Sequence, residues 1–117
     1  MPWSLDARIP VRLAEPGAPA LPDAAFLVEA GLAAPEGAWH ESFDPRQHAV
    51  ACADPGCVGC APRAPAALAL DRLFLARARG EAPFFRQVVA LMDPARHAAF
   101  AALLRDDTVV SARYRPA

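Results

Sequence analysis

All three cysteines of this chain, and one of its three histidines, fall within the thirteen residues His48-Ala-Val-Ala-Cys52-Ala-Asp-Pro-Gly-Cys57-Val-Gly-Cys60. Thiolate and imidazole are preferred donors of Zn2+, and four of them complete its tetrahedral shell. A closed Cys3His site is therefore the first chemistry the stretch offers, with His48, Cys52, Cys57 and Cys60 as metal ligands. The two-residue gap in Cys57-Val-Gly-Cys60 lets both sulfurs face one ion. The stronger zinc signature has two such pairs, and here Cys52 stands alone. The fourth position is the open one, where His40 or a carboxylate of Glu41, Asp44 or Asp54 is the alternative to His48.

Three other readings use the same residues. The spacing Cys52-x4-Cys57-x2-Cys60 resembles that of plant-type ferredoxins and would imply an iron–sulfur cluster, but the fourth cysteine of that set is absent. Cys57 and Cys60 precede a helix, whose N-terminus lowers a thiol pKa and favours thiol–disulfide exchange, with Cys52 as the resolving thiol. Pro62 and Pro65 delay that helix and weaken the argument. An open three-ligand site would instead serve metal delivery. The plainest reading is three small buried hydrophobes, against which stands their concentration within nine residues.

The remaining chemistry-bearing residues are better explained by structure. His97 lies three residues before Phe100 in a helical pattern and reads as a surface or half-buried side chain. Trp39-His40-Glu41-Ser42 contains a serine and a histidine, but adjacency in sequence is not the geometry of a nucleophile and its base. Asp106-Asp107 marks a helix end. Phe84-Phe85 reads as core, and if exposed would mark a partner surface.

The elements that must position these residues are short. Ala7 to Leu13 places Ile9, Val11 and Leu13 on one face, a strand whose Pro10 argues for a sheet edge. Leu21-Pro22-Asp23 carries helix-start chemistry, so Ala24 to Ala30 is expected to be helical, stopped by Gly31. Residues 33–63 have no sustained period and are broken by prolines and glycines, so a long irregular loop is expected there, anchored by Trp39 and Phe43 and stapled by metal. Residues 64–105 form a helical segment. Its first helix runs from Pro65 to Arg79 with Gly80 as stop, a second opens at Pro83, and a third follows the Asp93-Pro94 cap. Thr108 to Arg115 begins β-branched and then alternates, as a terminal strand does.

The fold class expected is thus α+β and mostly α: three or four short helices, with a small antiparallel strand pair formed by the N- and C-terminal segments. With 117 residues, one domain is the natural size. The twelve basic residues are all arginine, alanine dominates and proline reaches 13, a bias of the kind a GC-rich bacterial genome imposes. Net charge is −1 and the charges are scattered singly, which argues against nucleic acid or an anionic membrane as partner. There is no apolar run long enough to span a bilayer and no secretory signal, so a cytoplasmic location is expected. The expected function is a small non-catalytic zinc-binding domain that docks on a protein partner or a second copy of itself. Whether it is instead an enzyme turns on whether the metal site is closed.

Overall fold

In a computed structural model, the protein is described over residues 7–15, 17, 19–21, 23–46 and 64–117. Its centre is a five-stranded sheet built from β1 (Ile9–Ala14), β2 (Ala24–Glu29), β3 (His40–Phe43), β4 (Gln87–Leu91) and β5 (Tyr114–Pro116). The spatial order is β3-β2-β4-β1-β5 and every neighbouring pair is parallel. Three α-helices, α1 (Pro65–Ala78), α2 (His97–Asp106) and α3 (Thr108–Arg113), and a 3-10 turn (Pro94–Arg96) complete the described elements.

This overturns the mostly α expectation, and the reason lies in β2 and β4. A strand in the middle of a parallel sheet is buried on both faces and loses the alternation that marks a strand. Ala25 to Val28 and Val88 to Leu91 are continuous buried runs. On periodicity alone such runs cannot be told from buried helix. Residues 24–30 and the segment after Pro83, both expected as helices, therefore supply the two central strands. The irregular region expected over residues 33–63 contains a strand as well, β3.

The N- and C-terminal strands do pair, but in parallel rather than antiparallel fashion, with Ile9 opposite Tyr114 and Val11 opposite Pro116. Nor is β1 an edge, since it lies between β4 and β5. Its proline is tolerated because of register. Val11 directs its carbonyl to the β5 side, accepting from the Ala117 N–H at 3.0 Å. Pro10, one residue earlier, turns its nitrogen to the β4 side, just ahead of the first β4 register pair, Val11 with Val88. The missing amide falls where that ladder begins.

The helical expectations fare better around α1 and α2. α1 begins with Pro65 and runs through strong helix formers. It buries Ala66, Ala67, Leu70, Leu73 and Ala76 against the sheet. It ends in a Schellman turn: the Glu81 N–H donates to the Ala76 carbonyl (2.9 Å), the Gly80 N–H to that of Arg77 (3.3 Å), and Gly80 takes φ +75°. Asp93 caps the next helical segment, its Oδ1 accepting from the Ala95 N–H at 2.9 Å, and a single 3-10 turn, Pro94–Arg96, leads into α2.

Thr108 to Arg113, expected as strand, is α3. The β-branched start is overridden by a cap: Asp107 Oδ1 accepts from the amides of Val109 (3.1 Å) and Val110 (3.0 Å). The turn so formed drives Val110 fully into the core. Asp107→Ala is expected to cost about 1 kcal/mol. It should lower the melting temperature by roughly 4 °C in a thermal scan, with Asp107→Asn close to wild type.

All three helices pack on one face of the sheet. There Ile9, Val11, Ala25, Leu27, Val88 and Ala90 meet Leu70, Leu73, Phe100, Leu104 and Val110 in one apolar cluster. The opposite face presents Phe26, Val28, Val89 and Leu91, also buried. Its cover comes from connections without helix: Leu21, between β1 and β2, and Leu32, Ala34 and Ala38, between β2 and β3. No helix among the described residues is long and apolar enough to cross a membrane.

Candidate functional site at the carboxyl edge of the sheet

Because the strands are parallel, the C-terminal ends of β1, β2, β3 and β4 (Ala14, Glu29, Phe43 and Leu91) share one edge. In open parallel sheets, ligand crevices form outside this edge, where the chain leaves two neighbouring strands in opposite directions. The strand order puts that point between β2 and β4. From β2 the chain moves out to β3, and from β4 it moves the other way to β5.

An ion pair bridges the crevice. Glu29, the last residue of β2, meets Nε of Arg96 in the 3-10 turn that follows β4. The Glu29 side chain is only 13% exposed, so its charge is held by Arg96 rather than by water. Asp44 joins the same field from the end of β3. The Arg46 N–H donates to Asp44 Oδ1 at 2.9 Å, and this bond lowers the Asp44 carboxyl from its ordinary value; burial opposes it, and the charges of Arg46 and Arg96 add to the lowering. Asp44 is thus ionised at neutral pH.

Beside these charges a cavity of about 530 Å³ opens between the starts and ends of the elements. Its apolar wall is Phe43, Pro65, Met92, Phe100 and Leu103, and its polar rim is Arg96, Asp106 and Asp107. Pro45 and Ala64 also line it. These two residues nearly flank residues 47–63, so the connection from β3 to α1 both leaves and returns beside the cavity. The N-terminus of α1 faces this region without a side-chain cap and without an acidic residue in its first turn. Its positive end therefore has no compensating charge on its own helix.

Of the residues singled out from sequence, His48, Cys52, Cys57, Cys60 and Asp54 lie outside the described residues. The alternative fourth ligands are described, and the structure separates them. His40 opens β3 at the opposite edge, exposed, with Nδ1 3.4 Å from the Ala38 carbonyl oxygen. Glu41 Oε2 accepts from Arg72 Nε at 3.1 Å, which ties β3 to α1. Only Asp44 stands at the carboxyl edge, two residues from where the Cys-bearing connection departs. Among the described residues, no group of three or more His, Cys, Asp or Glu side chains is placed to hold a metal ion.

His97 is half-buried, with Nε2 3.3 Å from the Met92 carbonyl oxygen. The residues that sequence reasoning missed are Glu29 and Arg96. Their pairing spans 67 positions and follows from a strand order that no local pattern encodes. Glu29 did carry one signal, as a carboxylate ending an otherwise apolar run. Comparison of the chain with protein-family models, with curated proteins and with solved structures finds no match in any of the three.

Proposed function

We propose that this protein is a small non-catalytic zinc-binding domain that serves as a protein-interaction or accessory subunit, with His48, Cys52, Cys57 and Cys60 as its metal ligands. The observation that carries the reading is that every cysteine of the chain falls between Arg46 and Ala64, and that Pro45 and Ala64, close to the two ends of that stretch, line the same cavity at the carboxyl edge. A metal held by such a connection would convert binding energy into folding energy. The uncapped start of α1 supports it further, since a Cys3His zinc site carries net negative charge and complements a helix N-terminus. Asp44 is the replacement fourth ligand that the fold favours over His40.

The same helix start supports one other reading. An uncompensated N-terminus five residues after Cys60 would lower a thiol pKa and suit Cys57 and Cys60 to thiol–disulfide exchange. Metal analysis separates the two. Protein purified without added metal is expected to hold one zinc per chain, with all three thiols unreactive until a chelator is added. Cys57→Ser is expected to weaken zinc by more than the roughly 10–100-fold that loss of an outer-shell partner costs. It should also lower thermal stability. Absence of bound metal, together with unfolding unaffected by chelator, overturns the proposal. Two fast-reacting thiols in metal-free protein would transfer it to redox chemistry, and visible absorbance to an iron–sulfur cluster.

A further inference from the structure

At the opposite, amino edge of the sheet, three turns stand side by side because they precede three neighbouring parallel strands, β2, β3 and β4. The first is closed by the Ala24 N–H donating to the Leu21 carbonyl at 3.4 Å. The second, Pro35 to Ala38, is closed by the Ala38 N–H donating to the Pro35 carbonyl at 3.2 Å and carries Gly37 at φ +80°, a position that L side chains resist. The third is a three-residue turn in which the Phe85 N–H donates to the Pro83 carbonyl at 2.7 Å, leaving Phe84 at its tip. Together they enclose a cleft of about 440 Å³.

The pair Phe84-Phe85 is split by this turn. Phe85 is buried at 3% exposure, whereas Phe84 is 71% exposed and lines the cleft with Trp39, the other exposed aromatic there. Phe84 is nevertheless fixed. The Arg77 guanidinium lies 3.8 Å from its ring centroid, and Arg77 Nε donates to the Phe85 carbonyl at 2.8 Å. Arg77 itself is not among the residues that line the cleft.

The ionisable residues lining the cleft are Asp23 and Glu36, both carboxylates. Asp23 is held in place twice, its carbonyl accepting from the Arg86 N–H at 2.8 Å and its Oδ1 from Gln87 Nε2 at 3.1 Å. Two aromatic side chains at the cleft, Trp39 and Phe84, the second already holding the Arg77 guanidinium against its ring, stand beside two carboxylates and complement a cation whose surface is largely apolar, because ring faces attract cations and carboxylates supply the counter-charge. Anions are disfavoured by the same groups. We propose that this amino-edge cleft, lined by Trp39, Phe84, Asp23 and Glu36, is a binding site for an organic cation of the alkylammonium class.

The test is a titration of the full chain with choline and with its neutral isostere 3,3-dimethylbutan-1-ol, followed by the amide signals of residues 20–24, 36–39 and 83–86. Choline is expected to shift them saturably with a dissociation constant on the order of 1 mM, and the alcohol to bind at least roughly fivefold more weakly. Phe84→Ala and Glu36→Gln, both at exposed positions, are each expected to weaken choline by roughly fivefold while leaving the rest of the spectrum in place. Equal binding of the alcohol, no saturation by roughly 100 mM choline, or unchanged affinity in both variants overturns the proposal.

Discussion

Tyr114→Ala is expected to destabilise the protein by about 3–5 kcal/mol, the range found when a buried aromatic is cut back to a methyl group. Tyr114 is fully buried where α3 runs into β5, its ring edge-on to Phe74 with centroids 6.4 Å apart, and its hydroxyl donates to the Leu70 carbonyl in α1 at 2.8 Å. It thereby joins the last strand, the last helix and the longest helix in one contact set. Against a total stability of about 5–15 kcal/mol for a domain, such a loss leaves a large unfolded fraction. Tyr114→Phe should cost only about 1 kcal/mol, because Leu70 is inside α1 and its carbonyl keeps a helical partner. Urea unfolding of the two variants decides this, and a Tyr114→Ala cost below about 1 kcal/mol would show that the core closes without the ring.

The same residue predicts the alkaline limit of the fold. Burial, reinforced by the nearby Asp71 carboxylate, pushes the Tyr114 phenol well above its usual value, which the unfolded chain retains near 10. The folded-state pKa is the higher one, so the contribution of Tyr114 is intact below about pH 10 and is lost as pH rises from there towards the folded value. The expected slope is about 1.4 kcal/mol per pH unit. Tyr114 is the only tyrosine, so its ionisation can be followed by absorbance without interference from another phenol. The decline should disappear in Tyr114→Phe; an identical slope in both proteins would assign it to other groups.

Phe26→Ala is the second large effect, about 3–5 kcal/mol, and its interest lies in where it acts. Phe26 is fully buried on the face that carries no helix. It stands opposite Val89 in the β4 register, and its N–H donates to the Trp39 carbonyl at 2.9 Å. Removing the ring takes away the surface on which Leu21, Leu32 and Ala38 rest. Hydrogen exchange in residues 30–39 is therefore expected to accelerate more than exchange within α1. Trp39→Ala, at a position 36% exposed, should cost less than about 1 kcal/mol and serves as the control. Equal acceleration in α1 and in residues 30–39 would mean that both faces form one cooperative unit and that the loops have no separate stability.

What could be read from the sequence follows from which interactions are local. α1 and the cap at Asp93 were legible because helix formers, Pro65, Gly80 and an Asp-Pro pair act within a few residues. β2 and β4 were not, since a strand covered on both faces presents an unbroken apolar run. Asp107 was read as a stop for α2, and it is that; its second role, accepting from Val109 and Val110, outweighs their β-branching and was not visible. Strand direction was beyond reach for a different reason. The terminal segments were expected to pair antiparallel through a strand over Thr108 to Arg115; instead the helices α2 and α3 between β4 and β5 return the chain so that the short β5 enters parallel to β1. At the carboxyl edge, Asp44 could be picked out as a carboxylate near the cysteines, whereas the Glu29–Arg96 bridge could not, because it depends on the strand order.

That strand order also sets when the protein can fold. β1 and β2 come early in the chain, yet they do not touch; β4 lies between them. A nascent chain lacking residues 87–91 can at most pair β2 with β3, and a two-stranded ribbon is marginal in water. Most of the sheet must wait for its central strand, β4, which follows β1, β2 and β3 in the chain. Until then the apolar runs of β1 and β2 are without their main partner and exposed to association with other chains.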